Sequence, residues 1–150
     1  MTRQPFNAQT MPLAGVRLIE ASAGTGKTFS LAGLYLRLLI ERRARVREIL
    51  VITFTRAASK ELRERIRQRL TDAARIARHP ETAEAGRPED DFAEALIAAS
   101  DEGRTTVARR LAEAAHRMDE ATITTIHGFA QRAAQENAFQ SALPFDRGDP

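Results

Sequence analysis

The chain has 150 residues and a mass of 16.6 kDa, enough for one ordinary domain with one sizeable core. Apolar residues make up 43% and charged residues 29%, a soluble globular composition that excludes a disordered chain. There is no cysteine and no tryptophan, which excludes a disulfide scaffold and any cysteine-based zinc site; the net charge is only +3 although the pI is near 10.1.

The basic residues are 21 arginines and two lysines, Lys27 and Lys60. Arginine and the 27 alanines both have G/C-rich codons, so arginine abundance by itself is no sign of nucleic-acid binding. Met1 to Pro5 leads into no apolar segment of the signal-peptide kind. The longest apolar run, Phe29 to Ile40, holds 12 residues and contains Arg37, whereas a membrane span needs about 20. A cytoplasmic protein is the expectation.

In chain order, Val16-Arg17-Leu18-Ile19-Glu20-Ala21 predicts a short strand running into a glycine-rich turn. A helix follows from Lys27 to about Arg42, with Leu31, Leu34, Leu38 and Leu39 at helical spacing. Glu48 to Phe54 predicts a second strand in which Ile49-Leu50-Val51-Ile52 is an unbroken, buried-type run. A long helix from about Ala57 to Arg78 sets Ala58, Leu62, Ile66 and Leu70 on one face and pairs Glu61 with Arg65 outside, until His79-Pro80 stops it. Residues 80–90 read as a loop, followed by helices over about 91–100 and 104–118. A third strand spans Thr122 to Ile126, a final helix follows Gly128, and the chain closes in a tail. The units are therefore 16–42, 48–79, 80–118, 122–140 and a tail over 141–150. Strands alternating with helices predict an α/β fold with a parallel sheet.

Charge is unevenly placed. Residues 56–79 carry a net of +5, and residues 80–102 a net of −7. Such a reversal predicts two separate surfaces, with the acidic one facing away from any polyanion.

Residues 21–28, Ala21-Ser22-Ala23-Gly24-Thr25-Gly26-Lys27-Thr28, fit the phosphate-binding loop G-x-x-x-x-G-K-T/S everywhere except at Ala21. Its backbone N–H groups can curl around a phosphate because Gly24 and Gly26 lack a Cβ, and the helix N-terminus adds open donors. Lys27 supplies a compact charge between β- and γ-phosphates, and Thr28 a hydroxyl for Mg²⁺, so binding of nucleotide phosphates with Mg²⁺ is expected. The loop alone also suits a small kinase or nucleotide switch.

Two further segments sit at the carboxyl ends of strands, where open α/β sheets bind ligands. In Thr53-Phe54-Thr55-Arg56-Ala57-Ala58, Phe54 is either core or a base-stacking platform, and Thr55 can cap the next helix or bond a phosphate. In Thr125-Ile126-His127-Gly128-Phe129, His127 is either a phosphate or base contact or a satisfied loop residue. The scattered histidines 79, 116 and 127 make no metal site.

The three segments, in this order, resemble motif I, motif Ia and the T-x-H-x-F motif of UvrD/Rep-type superfamily 1 DNA helicases. Pro12-Leu13-Ala14-Gly15, Leu34 to Leu39, Met118 to Ala121 and Asn137-Ala138-Phe139 narrow the resemblance to that superfamily's exodeoxyribonuclease V beta-subunit family, with the AddA-like helicase-nucleases next. The resemblance implies a P-loop NTPase fold of the RecA-like kind and ATP-driven 3′-to-5′ unwinding of double-stranded DNA in break repair, with a nuclease domain further along. It implies single-strand contacts at Phe54, Thr55, Arg56, Thr125, His127, Gly128 and Phe129. The partners it implies are DNA, as single strand and duplex end, and the gamma and alpha subunits of exodeoxyribonuclease V.

The sequence departs from the family pattern at Ala21, at Arg56, where many relatives have Asn or Glu, and at Ala130, where many have Cys. Gln9 is a candidate adenine reader at an unmatched spacing. A motor of this class also needs an acidic pair at a strand end. Asp119-Glu120 follows a helix end and does not fit, so the chain reads as the incomplete N-terminal part of a motor domain, whose strands pair abnormally or with a second copy.

Overall fold

A computed structural model describes residues 6–20 and 26–141, the side chains of 139–141 excepted. Five helices flank a small sheet: α1 (Lys27–Glu41), β1 (Leu50–Thr53), α2 (Arg56–Arg78), α3 (Pro88–Ala99), α4 (Arg104–His116), β2 (Thr122–Thr125) and α5 (Ile126–Ser141). Single 3₁₀ turns at Val46–Glu48, Pro80–Thr82 and Met118–Glu120 join them. The two strands pair in parallel, Leu50 opposite Thr122 and Thr53 opposite Thr125. The α/β class with a parallel sheet is thus the one expected. No helix among the described residues is long and apolar enough to cross a membrane.

Helix α2 organises the rest. Its 23 residues open on Thr55, whose Oγ1 accepts from the Ala58 N–H at 3.0 Å, and close at His79 before Pro80. Leu62, Ile66, Leu70, Ala73, Ile76 and Ala77 form the buried face, meeting Val107 and Leu111 of α4 and Leu36 and Leu39 of α1 in one core. Each large apolar side chain withdrawn from water contributes about 1.5–3 kcal/mol. Arg63, about two turns into the helix, ties α2 to the sheet. Its guanidinium donates to the carbonyls of Met118, Ala121 (3.1 Å) and Ile123 (3.3 Å), so it seats the turn before β2 and the strand itself.

Arg37 explains the charge inside the apolar run of α1. Nearly buried, it pairs with Glu41 one turn on and donates to the carbonyls of Ala8 (2.9 Å) and Met11 (2.6 Å), fastening the N-terminal segment to the helix. At the other end of α1, Phe29 meets Phe92 of α3 edge to face at 6.0 Å, and the Arg69 guanidinium lies over both rings. Burial pushes Arg69 below the usual arginine range, against the pull of Glu89, Asp72 and Asp90. Burial likewise lifts the Tyr35 hydroxyl to about 12, so it stays neutral.

The structure corrects several expectations. Residues 16–20 form no strand, and Val16 and Leu18 are exposed; residue 21 lies outside the described residues. A strand exists only by pairing, and no described segment pairs with this one. The run Ile49–Ile52 is not buried on both faces: Leu50 and Ile52 are exposed, because α2 covers only the Val51 side of a two-stranded sheet. Leu31 is exposed, and the buried face of α1 runs instead through Ala32, Tyr35, Leu36, Leu39 and Ile40. Helix α3 begins at Pro88, which suits a first helical position, and α5 begins at Ile126 with Gly128 inside it.

Replacing Arg63 by Met keeps the stem but removes all three donors to buried carbonyls. The expected cost is about 1–3 kcal/mol, read as a lower urea midpoint with an unchanged denaturant slope.

Candidate nucleic-acid and nucleotide sites

The loop and the two strand-end motifs fold into two separate places. Of the loop, only Gly26, Lys27 and Thr28 are described; Ala21, Ser22, Ala23, Gly24 and Thr25 lie outside the described residues. Gly26 is the N-cap of α1 at φ 80°, ψ 28°, a left-handed conformation that disfavours any Cβ. Among the described residues no side chain caps this helix, and no acidic residue sits in its first turn. Its first N–H groups therefore face outward as anion donors. Lys27 is exposed, Thr28 is half-buried, and Lys27 makes no ion pair among the described residues. The described part of the loop fits a phosphate group.

The strand-end residues converge on a groove of about 720 Å³. Phe54, Arg56, Thr125, His127 and Gly128 all line it. Phe54 is 90% exposed, which decides its reading: it is not core, and its ring faces solvent at the end of β1. Thr55 is spent on capping α2, since its hydroxyl already accepts from the Ala58 N–H. The Thr125 hydroxyl does the same for α5, accepting from the Gly128 N–H at 3.1 Å. Phe129, 38% exposed, lies on α5 beside the groove without lining it. His127 is exposed and has no hydrogen-bond partner among the described residues.

Sequence reasoning missed Ser59 and Gln131, which also line the groove. Ser59 Oγ donates to Thr53 Oγ1 at 2.5 Å, while Thr53 Oγ1 donates to the Thr55 carbonyl at 3.0 Å, fixing the turn that presents Phe54. Helical periodicity was the available signal: Ser59 stands three residues after Arg56, and Gln131 four after His127. No residue of 26–28 lines the groove, so the described loop residues and the strand-end residues do not share a cavity.

Neither Asp119 nor Glu120 sits at a strand end. Both lie on the Met118–Glu120 turn, exposed, and Asp119 is paired with Arg67 at 3.0 Å. Among the described residues no cluster of three or more metal-ligating side chains occurs.

Gly128 is needed for closeness. A Cβ there would stand 2.6 Å from Thr124 Oγ1 and 3.3 Å from Thr125 Oγ1. Gly128→Ala is expected to push α5 off β2 at a cost of about 1–3 kcal/mol, measured by urea denaturation. An unchanged midpoint would mean that Thr124 simply rotates away.

Residues 1–145 match the UvrD/REP helicase N-terminal domain. The chain is 46% identical over 145 residues to RecBCD enzyme subunit RecB of Escherichia coli K12, covering 91% of this chain and 12% of that protein. It is 42% identical over 151 residues to RecB of Haemophilus influenzae (95% and 12%) and 45% identical over 112 residues to RecB of Mycobacterium tuberculosis H37Rv (75% and 10%). The chain therefore spans 12% or less of the length of these relatives. It belongs to the UvrD/REP helicase N-terminal domain family.

Proposed function

We propose that this chain is the leading part of an ATP-driven DNA helicase motor of the RecB kind, acting in the repair of broken DNA. Residues 21–28 hold the phosphates of ATP, and the groove at the ends of β1 and β2 holds single-stranded DNA. One observation carries the reading: an almost fully exposed Phe54 shares a groove with Arg56 and His127 at the carboxyl ends of parallel strands. Exposed aromatics next to cations are the parts of a base-stacking, phosphate-pairing site.

In this reading the α1 N-terminus and Lys27 bind the β- and γ-phosphates, and the Thr28 hydroxyl is a ligand for Mg²⁺. The metal, when bound, neutralises charge between those phosphates. Phe54 stacks on a base and Arg56 pairs with a phosphate. The relatives are named as subunits of the RecBCD enzyme, and that name supports proposing for the whole protein an equivalent assembly with gamma and alpha subunits in the cytoplasm. Helicase and exonuclease activity are proposed for the whole protein. Among the described residues Asp119 and Glu120 do not supply the acidic pair of a complete site, because they stand on the turn before β2. The small kinase or nucleotide switch left open by the loop alone is set aside by the family match over residues 1–145.

Titration calorimetry of Mg-ATP into the wild type and Lys27→Ala tests the first half. At least a tenfold loss of affinity is expected, about 1.4 kcal/mol; equal affinities would refute the assignment. Phe54→Ala is expected to weaken single-strand binding by roughly 1–3 kcal/mol while leaving ATP binding unchanged. The chain alone is expected to show no DNA-stimulated ATP turnover; stimulated turnover that Lys27→Ala abolishes would return Asp119-Glu120 to the site.

A further inference from the structure

A second cavity, of about 460 Å³, lies between the C-terminal half of α2 and α4. Arg67, Arg75, Arg78, His79 and His116 line it, and no carboxylate does. The small side chains Ala74, Ala112 and Ala115 line this trough as well, between the basic groups. Two of the three histidines of the chain meet here, far along α2 from the third.

Arginine-rich composition explains the number of cations but not their partition. Of the other surface arginines, Arg43 is neutralised by Asp101, Arg45 by Glu48, Arg104 by Glu94 and Arg110 by Glu102, whereas Arg42, Arg47 and Arg109 are exposed with no ion pair among the described residues. In the trough, Arg67 meets Glu64 (2.8 Å) and Asp119 (3.0 Å), Arg75 donates to the Thr82 carbonyl (2.8 Å), and His79 approaches Glu81 (3.3 Å). Arg78 and His116 have no partner among the described residues.

The trough also continues a line of charge. Arg56, Lys60, Arg67, Arg75 and Arg78 fall on one face of α2, at steps of three, four, seven or eight residues. Arg56 and Lys60 stand free at the positive end of the helix dipole, where cations are unfavourable to the helix. Three carboxylates stand on α2: Glu61 and Glu64 pair with Arg65 and Arg67, and Asp72 lies 3.8 Å from Arg75. The row runs for about 33 Å at 1.5 Å per residue, from the Phe54 groove to the trough.

We infer that the α2–α4 trough is a second phosphate-backbone site, taking the single-stranded DNA that leaves the Phe54 groove and runs along α2. This rests on the groove reading for the direction of the strand, not for the trough itself. Arg67 and Arg78 are the contacts that matter, and they read charge, not base.

The test is fluorescence anisotropy on this chain, in a salt series, with oligonucleotides of about 4 and about 16 nucleotides. A single strand can stretch well beyond the rise of about 3.4 Å per nucleotide of a duplex strand, so the shorter one is kept to a few nucleotides, and only the longer one reaches from groove to trough. Removing two phosphate contacts in Arg67→Gln/Arg78→Gln is expected to lower the slope of log affinity against log salt by about 1.4 for the long strand and to leave the short one unchanged. Arg67→Lys/Arg78→Lys, which keeps the charge, is expected to restore the slope, and this separates lost contacts from lost folding. An unchanged slope for the long strand in the Gln variant would overturn the proposal, as would displacement of the strand by equimolar oligoglutamate. Phe54→Ala reports on the groove separately: it weakens both lengths if the groove reading holds and neither if it fails, whatever the trough does.

Discussion

The burial of one face of α2 is the constraint on which the other elements depend. Helices α1, α3 and α4 and both strands touch this helix, and Leu62, Ile66, Leu70 and Ile76 are where they meet. Arg63 extends the same hold to the sheet through the backbone carbonyls of Met118, Ala121 and Ile123. Because Thr55 caps the helix directly after β1, the start of α2 is fixed to the strand end, and with it the turn that exposes Phe54. Packing at the middle of the helix thus determines geometry at both of its ends.

This arrangement separates structural from functional charge along a single helix. Arg63 and Arg69 turn inward, one onto carbonyls and the other onto the rings of Phe29 and Phe92. Arg56, Lys60 and Arg78 turn outward and remain unpaired. In a chain with 21 arginines the count says little, and the direction each side chain takes says more. The acidic stretch from residue 80 to 102 serves the fold: Asp90 accepts from the Glu84 N–H, and Glu94 and Glu102 hold Arg104 and Arg110. It thereby leaves the basic face of α2 open.

Much of this was legible in the residues, for identifiable reasons. The polar and apolar faces of α2 alternate cleanly, so its period and its stop at His79-Pro80 could be read to within a residue. Strand β2 and the α4 helix were legible on the same grounds. Helix α1 is apolar nearly all round, so spacing could not say which side would be buried, and Leu31 was placed on the wrong one. The segment 16–20 carries a strand pattern but gains a strand only with a partner, which no local signal supplies. The start of α5 was missed because its cap, Thr125, belongs to the preceding strand. At the site, the loop motif and the strand-end motifs stood out by residue type, whereas Ser59 and Gln131 have no distinctive chemistry and became visible only through the groove they line. The exposure of Phe54 could not be read from sequence, because an aromatic at a strand end packs or protrudes according to what tertiary structure lies over it.

The central claim is that one chain offers two binding places, one at the start of α1 and one at the ends of the two strands. Hydrogen exchange of the backbone amides tests it most directly, recorded for the chain alone, with Mg-ATP, and with single-stranded DNA. The account predicts that Mg-ATP slows exchange at residues 26–30 and leaves the strand ends unaffected, while single-stranded DNA slows exchange at 54–59 and 125–131 and leaves 26–30 unaffected. Protection of the same amides by both ligands, or protection at neither place, would contradict it.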